Sequence, residues 1–235
     1  MLRTIFSRPL GWRTLGPGLL SLTTLSAQAL GADDGHLFDA GACHLESWMR
    51  ANREATEFWA LPGCTAEGSL VLALRPTPAL DDDGNAMAGV TAQARTVVFK
   101  PLTPNGWGWG MALGTARDAR NGSRDVYAFM PVSWSLQDNR SFVRANVGAR
   151  HEGLLRRRQV TWGLGFEQPI APRFDLIGET FVRDKDRPFV QMGLRYSVIQ
   201  DKAQIDTTTG HRIGAQGNER WVAVGLRLLA PRWWP

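Results

Sequence analysis

In the stretch NGWGWGMALG at residues 105–114, small and large residues alternate without exception. Gly106, Gly108, Gly110, Ala112 and Gly114 share one parity, and Trp107, Trp109, Met111 and Leu113 share the other. An extended strand puts successive side chains on opposite faces. This strand therefore has one nearly bare face and one covered with large apolar groups. The same period of two runs onward from residue 68, with turn signals every dozen residues or so. Ten segments read as strands: 68–76, 88–100, 106–117, 124–135, 140–150, 158–168, 173–183, 187–197, 202–209 and 219–229. In 158–168, for example, Val160, Trp162, Leu164 and Phe166 oppose Thr161, Gly163, Gly165 and Glu167.

Alternation alone also fits a soluble sandwich with a dry interior. The connections separate the two folds. Short ones at 101–105, 136–139, 169–172 and 198–201 take turns with mostly longer, more polar ones at 77–87, 118–123, 151–157 and 211–218. An even strand number, with short turns on one side and longer loops on the other, describes an antiparallel, up-and-down outer-membrane β-barrel. The aromatics agree: Trp107, Trp134, Phe166, Phe174 and Tyr196 all lie near a short turn and on the apolar parity. A membrane interface gathers amphipathic rings at one height, whereas a sandwich core has no reason to. Trp162 and Trp221 lie nearer the long loops and suit an outer girdle, though Trp221 has the inward parity and fits it less well.

Residues 1–29 read as a secretory signal peptide: a basic start (Arg3, Arg8, Arg13), an apolar run over 15–25, and the small-x-small site Ala27-Gln28-Ala29. Its removal takes away three arginines and no acid, so the formal charge falls from +5 to +2. The basic balance thus says little about nucleic acid, and no basic face with interleaved aromatics appears. No later segment offers the roughly 18 apolar residues of a spanning helix.

Cys43 and Cys64 predict one disulfide in an exported chain. The bridged segment shows a helical spacing of Leu45, Trp48, Met49, Asn52 and Ala55, which fits a short helix over about 44–53. Residues 30–66 are therefore expected to form a disulfide-tied cap or plug, and residues 67–235 a barrel of about ten strands. Twelve strands, with 43–64 as a hairpin, is the alternative.

The inward parity collects Gln93, Arg95, Arg144, Glu167, Asp175, Glu179, Gln191, Arg195, Asp206 and Arg227. Charges of both signs nearly balance, as a narrow interior requires if unpaired charges are to be avoided. Either they form a structural ion-pair network, or they line a thin polar path for a small solute. A path predicts water-accessible arginines; a filled barrel predicts paired ones. The row Gly106, Gly108, Gly110 and Gly114 leaves room for bulky neighbours, or for the 43–64 segment or a bound molecule. Arg156, Arg157 and Arg158 sit at an outer loop and suit the phosphates of lipopolysaccharide.

Catalytic signals are weak. Asp81–Asp83 share the outer side with His211, which resembles the omptin proteases, but TTGHRIG lacks the acid that would orient the histidine. DDDGN places Gly84 too early for a calcium loop. The expectation is a non-enzyme without cofactor or metal: a narrow pore or putative transporter, or a structural envelope protein. The alternative is a barrel that binds lipid or lipopolysaccharide. Expected partners are outer-membrane lipid, the assembly machinery and a small solute, with no nucleic acid.

The hairpins FKPLTPNGWGWGMALG and WGLGFEQPIAPRFDLIGETF, with RPFVQMGLRYSV and ERWVAVGLRLLAP, resemble Gram-negative outer-membrane β-barrel proteins. The resemblance covers the C-terminal two thirds and is nearest to the small barrels grouped with phenol-degradation-pathway (MetA-like) putative transporters. It implies barrel architecture, residence in the bacterial outer membrane and, less specifically, transport. The chain departs from many such barrels in running through RWWP to Pro235 instead of ending on an aromatic residue.

Overall fold

A computed structural model describes residues 43–230 apart from 54, 66–70, 82–85, 96–97, 101, 119–121, 184–186 and 215–218. The signal-peptide reading lies outside these residues. Among the described residues every regular element is a strand. The segments are β1 (Cys43–Asn52), β2 (Ala55–Thr65), β3 (Val71–Asp81), β4 (Ala86–Arg95), β5 (Val98–Lys100), β6 (Trp107–Gly110), β7 (Ala112–Asp118), β8 (Arg124–Leu136), β9 (Ser141–Glu152), β10 (Arg157–Ala171), β11 (Phe174–Arg183), β12 (Phe189–Ile199), β13 (Ala203–Arg212) and β14 (Arg220–Ala230). β4 and β5 lie along one strand path and β6 and β7 along another, so the chain makes twelve antiparallel passes.

Each pass pairs with its sequence neighbour. β8 pairs with β9 on its far edge and β1 pairs with β14, so the ladder visits every strand and returns to its start. A lone sheet would leave two edge rows of unpaired backbone groups, and the β8–β9 and β14–β1 pairings join those edges to neighbours.

The ten strands expected from the sequence are all present. The count is twelve because residues 43–65 are wall, not cap. β1 and β2 form a hairpin with Cys43 opposite Cys64, and the two cysteines are disulfide-bonded. The helical reading of β1 failed for a geometric reason: Leu45 and Met49 are four apart, a spacing that keeps one face in a helix and also in a strand. The true period is two, with His44, Trp48 and Arg50 buried inside and Leu45, Met49 and Ala51 exposed outside. The turn uses so few residues that β1 and β2 have 10 and 11, enough to span.

Alternation shows among the strands whose side chains are described, most plainly on β14. On β14, Trp221, Ala223, Gly225 and Arg227 are buried while Val222, Val224, Leu226 and Leu228 are exposed. The outer face is apolar and the inner face mostly polar, the reverse of a water-soluble sheet. At the short-turn end, where β1 begins and β14 finishes, outward aromatics meet in pairs. Trp107 faces Trp134 across β6 and β8, and Phe174 faces Tyr196 with ring centroids 4.9 Å apart. Phe166 lies outward against Gly178. All five rings lie on the outward parity, toward the short-turn ends of their strands.

Candidate functional site

The interior is organised in rows that run round the barrel along the cross-strand register. One row reads Arg144, Gly165, Glu179, Gln191, Gly210 and Trp221. The next toward the short turns contains Glu167, Ile177, Gly193, Thr208, Ala223 and Arg50. A third contains Asp175, Arg195, Asp206, Gly225 and Trp48. Glycines punctuate the rows beside long side chains, so that a side chain can lie down along the wall. Trp221 does this over Gly210 and donates its indole Nε1–H to Gln191 Oε1 at 3.2 Å. Gln191 in turn donates Nε2–H to Glu179 Oε1 at 2.7 Å.

The charged centre lies lower, with Glu167 one row and Arg195 and Asp206 two rows toward the short turns. Arg195 donates Nε–H to Asp206 Oδ1 and Nη2–H to Asp206 Oδ2, each at 2.8 Å, in a two-pronged grip. Its Nη1–H reaches past β11 to Glu167 Oε2 at 2.7 Å, and Arg144 Nη1–H meets the same oxygen at 3.2 Å. Ile177 of β11, fully buried, lies between these strands. Arg227 faces Glu46 directly across β14 and β1, with Nε 3.0 Å from Oε1. Arg144 and Arg195 are only 3% and 2% exposed, so the interior keeps these arginines out of water and matches them to acids. That is the result expected of a filled barrel, not of water-lined arginines.

Six of the predicted inward residues, Arg144, Glu167, Glu179, Gln191, Arg195 and Asp206, are thus joined in two linked sets, and Arg227 pairs separately. Asp175 sits opposite Arg195 on β11 without a hydrogen bond between them among the described contacts. The side chains of Gln93 and Arg95 lie outside the described residues; their backbones lie on β4, opposite Gly114 and Val71.

The glycine row of 106–114 is inward, and the chain itself fills the space. A Cβ on Gly108 would run into the backbone of Lys100 and Leu102, one on Gly106 into Thr103, and one on Gly114 into the ring of Tyr127. Gly106 and Gly108 therefore admit the descending turn, and Gly114 admits a neighbouring ring. The 43–64 segment is not their occupant, since it stands in the wall with β3 and β4 between. His44 lies over Gly63 in the same way, whereas at Gly148 a Cβ would meet the backbone of Ala128 and Phe129.

Near the long-loop mouth is a cluster that sequence reasoning missed. Phe181, Phe189, Trp221 and Ala223 pack inside the barrel, with Phe181–Phe189 centroids 5.2 Å apart and Phe189–Trp221 centroids 5.7 Å apart. Arg50 lies over the Trp221 ring at 5.5 Å and Arg212 over Phe189 at 4.4 Å. Trp221 is thus an interior anchor rather than part of an outer girdle. The signal was present: Phe181 and Phe189 share parity with Glu179 and Gln191. Trp162, by contrast, does face outward.

The arginine run at 156–158 does not act as a unit. Arg157 turns inward and donates to Glu152 at 3.3 Å, Arg158 points outward, and Arg156 occupies the turn with φ 49°. At the same mouth Asp125 accepts hydrogen bonds from Arg150 and, at 2.8 Å, from the backbone N–H of Gly153, which holds the β9–β10 tip against β8. His211 is exposed on β13, and Asp82 and Asp83 lie outside the described residues, as does any approach between them. No cluster of three metal-ligating side chains occurs among the described residues.

Solved structures share this architecture. The KdgM porin in complex with disordered oligogalacturonate matches with a TM-score of 0.61 at 9% identity, covering 80% of this chain and 98% of that one. The NanC porin matches with a TM-score of 0.59 at 10% identity, covering 80% and 98%. At such identities the likeness is one of fold: the small outer-membrane porin barrel. It supports the barrel class of the resemblance and does not speak for the phenol-degradation-pathway grouping. No curated protein matches the sequence. A family model described as "Uncharacterised conserved protein UCP029691" matches residues 19–229, and the chain belongs to that family.

Proposed function

We propose that this protein is a non-catalytic barrel of the bacterial outer membrane that passes small polar solutes through a narrow lumen. The observation that carries the reading is the direction of its internal bonds. Every internal ion pair described joins strands that are adjacent or next but one round the ring: β8–β9, β9–β10, β10–β12, β12–β13 and β14–β1. A ring of twelve tilted strands is about 24 Å across between opposite backbones, and an arginine reaches roughly 7 Å from its Cα. Side chains paired along the wall of such a ring do not join its opposite walls, and a narrow path between those walls is what the pore reading requires. The apolar outer face, the outward aromatics and the porin fold support the membrane location.

The solute class follows from charge. Acids and bases nearly balance among the described inward residues, and the arginines are held by carboxylates. That arrangement gives no strong positive field for a polyanion such as the oligogalacturonate found with the KdgM porin, and favours small neutral or zwitterionic solutes.

A second reading, a structural barrel with a filled interior, is favoured by the near-complete burial of Arg144 and Arg195. Single-channel conductance of the refolded protein in a planar bilayer decides between them. Discrete steps support the pore. Silence from a sample whose heat-modifiable gel mobility shows a folded barrel would leave the structural reading.

A further inference from the structure

The outward face at the long-loop mouth carries basic side chains opposite basic side chains. Arg117 on β7 faces Arg124 on β8, His151 on β9 faces Arg158 on β10, and His211 on β13 faces Arg220 on β14. All six side chains are exposed. Like charges directly opposite in an antiparallel ladder repel, as at Arg117 and Arg124, and two further arginines, Arg158 and Arg220, each face a histidine near the same mouth. No Asp or Glu occupies a described outward position of these six strands, and the described ion pairs involve none of the six. Among the described contacts Arg124 donates to the hydroxyl of Thr115, at 3.0 Å.

Two residues below these bases toward the membrane middle lie some of the most exposed apolar side chains of the wall: Val126, Val160 and Val222, at 50%, 59% and 54%. An anion that bridges each basic pair therefore has apolar surface directly beneath it. A free phosphate has no use for that surface; an acylated one does. We infer that this rim is a docking collar for the phosphate groups of lipopolysaccharide in the outer leaflet, each pair gripping a phosphate while the acyl chains cover the valines. The collar differs from the run 156–158, of which only Arg158 belongs to it. It rests on the outer-membrane location proposed above and not on conduction, so a silent channel leaves it standing.

The test uses the full chain refolded in detergent micelles, with native mass spectrometry to count bound glycolipid. The probes are purified lipopolysaccharide, the same glycolipid with its lipid A phosphates removed, and inorganic phosphate as competitor. The folded barrel is expected to retain the phosphorylated glycolipid about tenfold more strongly than the dephosphorylated one. Arg124→Gln, Arg158→Gln and Arg220→Gln together should abolish the difference, and Lys at the same positions should keep most of it. Arg158→Gln alone, expected to lower retention in part, keeps the test readable if the triple variant fails to refold. Equal retention of both glycolipids would overturn the proposal, as would undiminished retention by the Gln variants. Displacement by millimolar inorganic phosphate would also overturn it, by assigning the rim to a free anion. Fractionation of native membranes tests the location separately.

Discussion

Arg195 and Asp206 face each other directly across β12 and β13 and share two hydrogen bonds of 2.8 Å, almost wholly out of water. Glu167 leans on the same guanidinium. Arg195→Met would leave two buried carboxylates short of their main partner. Breaking a buried pair from one side costs about 3–5 kcal/mol. The unfolding midpoint of the refolded protein in urea should fall accordingly. The double substitution Arg195→Met with Asp206→Leu should cost clearly less than the sum of its parts, because Glu167 keeps Arg144. Additive losses would show that the grip is not the unit described.

The glycine–ring pairs predict which glycines tolerate a methyl group. At Gly210 a Cβ would overlap the Trp221 indole, whereas at Gly225 its nearest neighbours lie at 3.5–3.6 Å, ordinary contact. Gly210→Ala should lower stability by about 1–3 kcal/mol through overpacking, and Trp221→Ala should relieve that loss. Gly225→Ala should be nearly neutral. The temperature at which the folded gel band converts to the unfolded one reads all three variants.

The strands and the inward parity were legible because a two-residue period survives any local detail. Val160 to Phe166 and Val222 to Leu228 announce their face wherever the strand pairs. The first hairpin was legible only as the twelve-strand alternative, since His44, Glu46, Trp48 and Arg50 put mixed chemistry on the inner face and left Leu45 and Met49 at a spacing two periods share. The residues of the charge network were readable one by one, but their partners were not. Arg195 finds Glu167 two strands away, a relation set by register and by the glycines that let side chains lie down. The basic collar was invisible for the same reason: Arg117 and Arg124, or His211 and Arg220, become neighbours only when the ladders are aligned.

Placing the disulfide in the wall changes what reduction should do. Cys43 and Cys64 tie the open end of the β1–β2 hairpin, and β1 is the strand on which β14 closes the ring. No plug is released by breaking the bond. Cys43→Ser with Cys64→Ser should leave single-channel conductance unchanged. It should lower stability by about 3 kcal/mol, the usual value for a loop near this separation of 21 residues. A conductance that appears only after reduction would return residues 43–64 to the role of a plug.

The lipid-facing wall makes the sharpest demand on position. Leu164 lies mid-strand on β10 with an outward, exposed side chain, and Leu154 is equally apolar and exposed but lies at the β9–β10 tip. If the middle of β10 is in hydrocarbon, Leu164→Arg must bring a charge there and should cost about 2–4 kcal/mol, falling toward zero near the interface. Leu154→Arg, beyond the strand ends and beside Arg156, should cost almost nothing. Both variants refold into vesicles of the same lipid and are compared by urea titration. In a water-soluble barrel the two substitutions would behave alike, because both side chains would already be in water. A difference of several kcal/mol is therefore evidence for the membrane itself, independent of whether the lumen conducts.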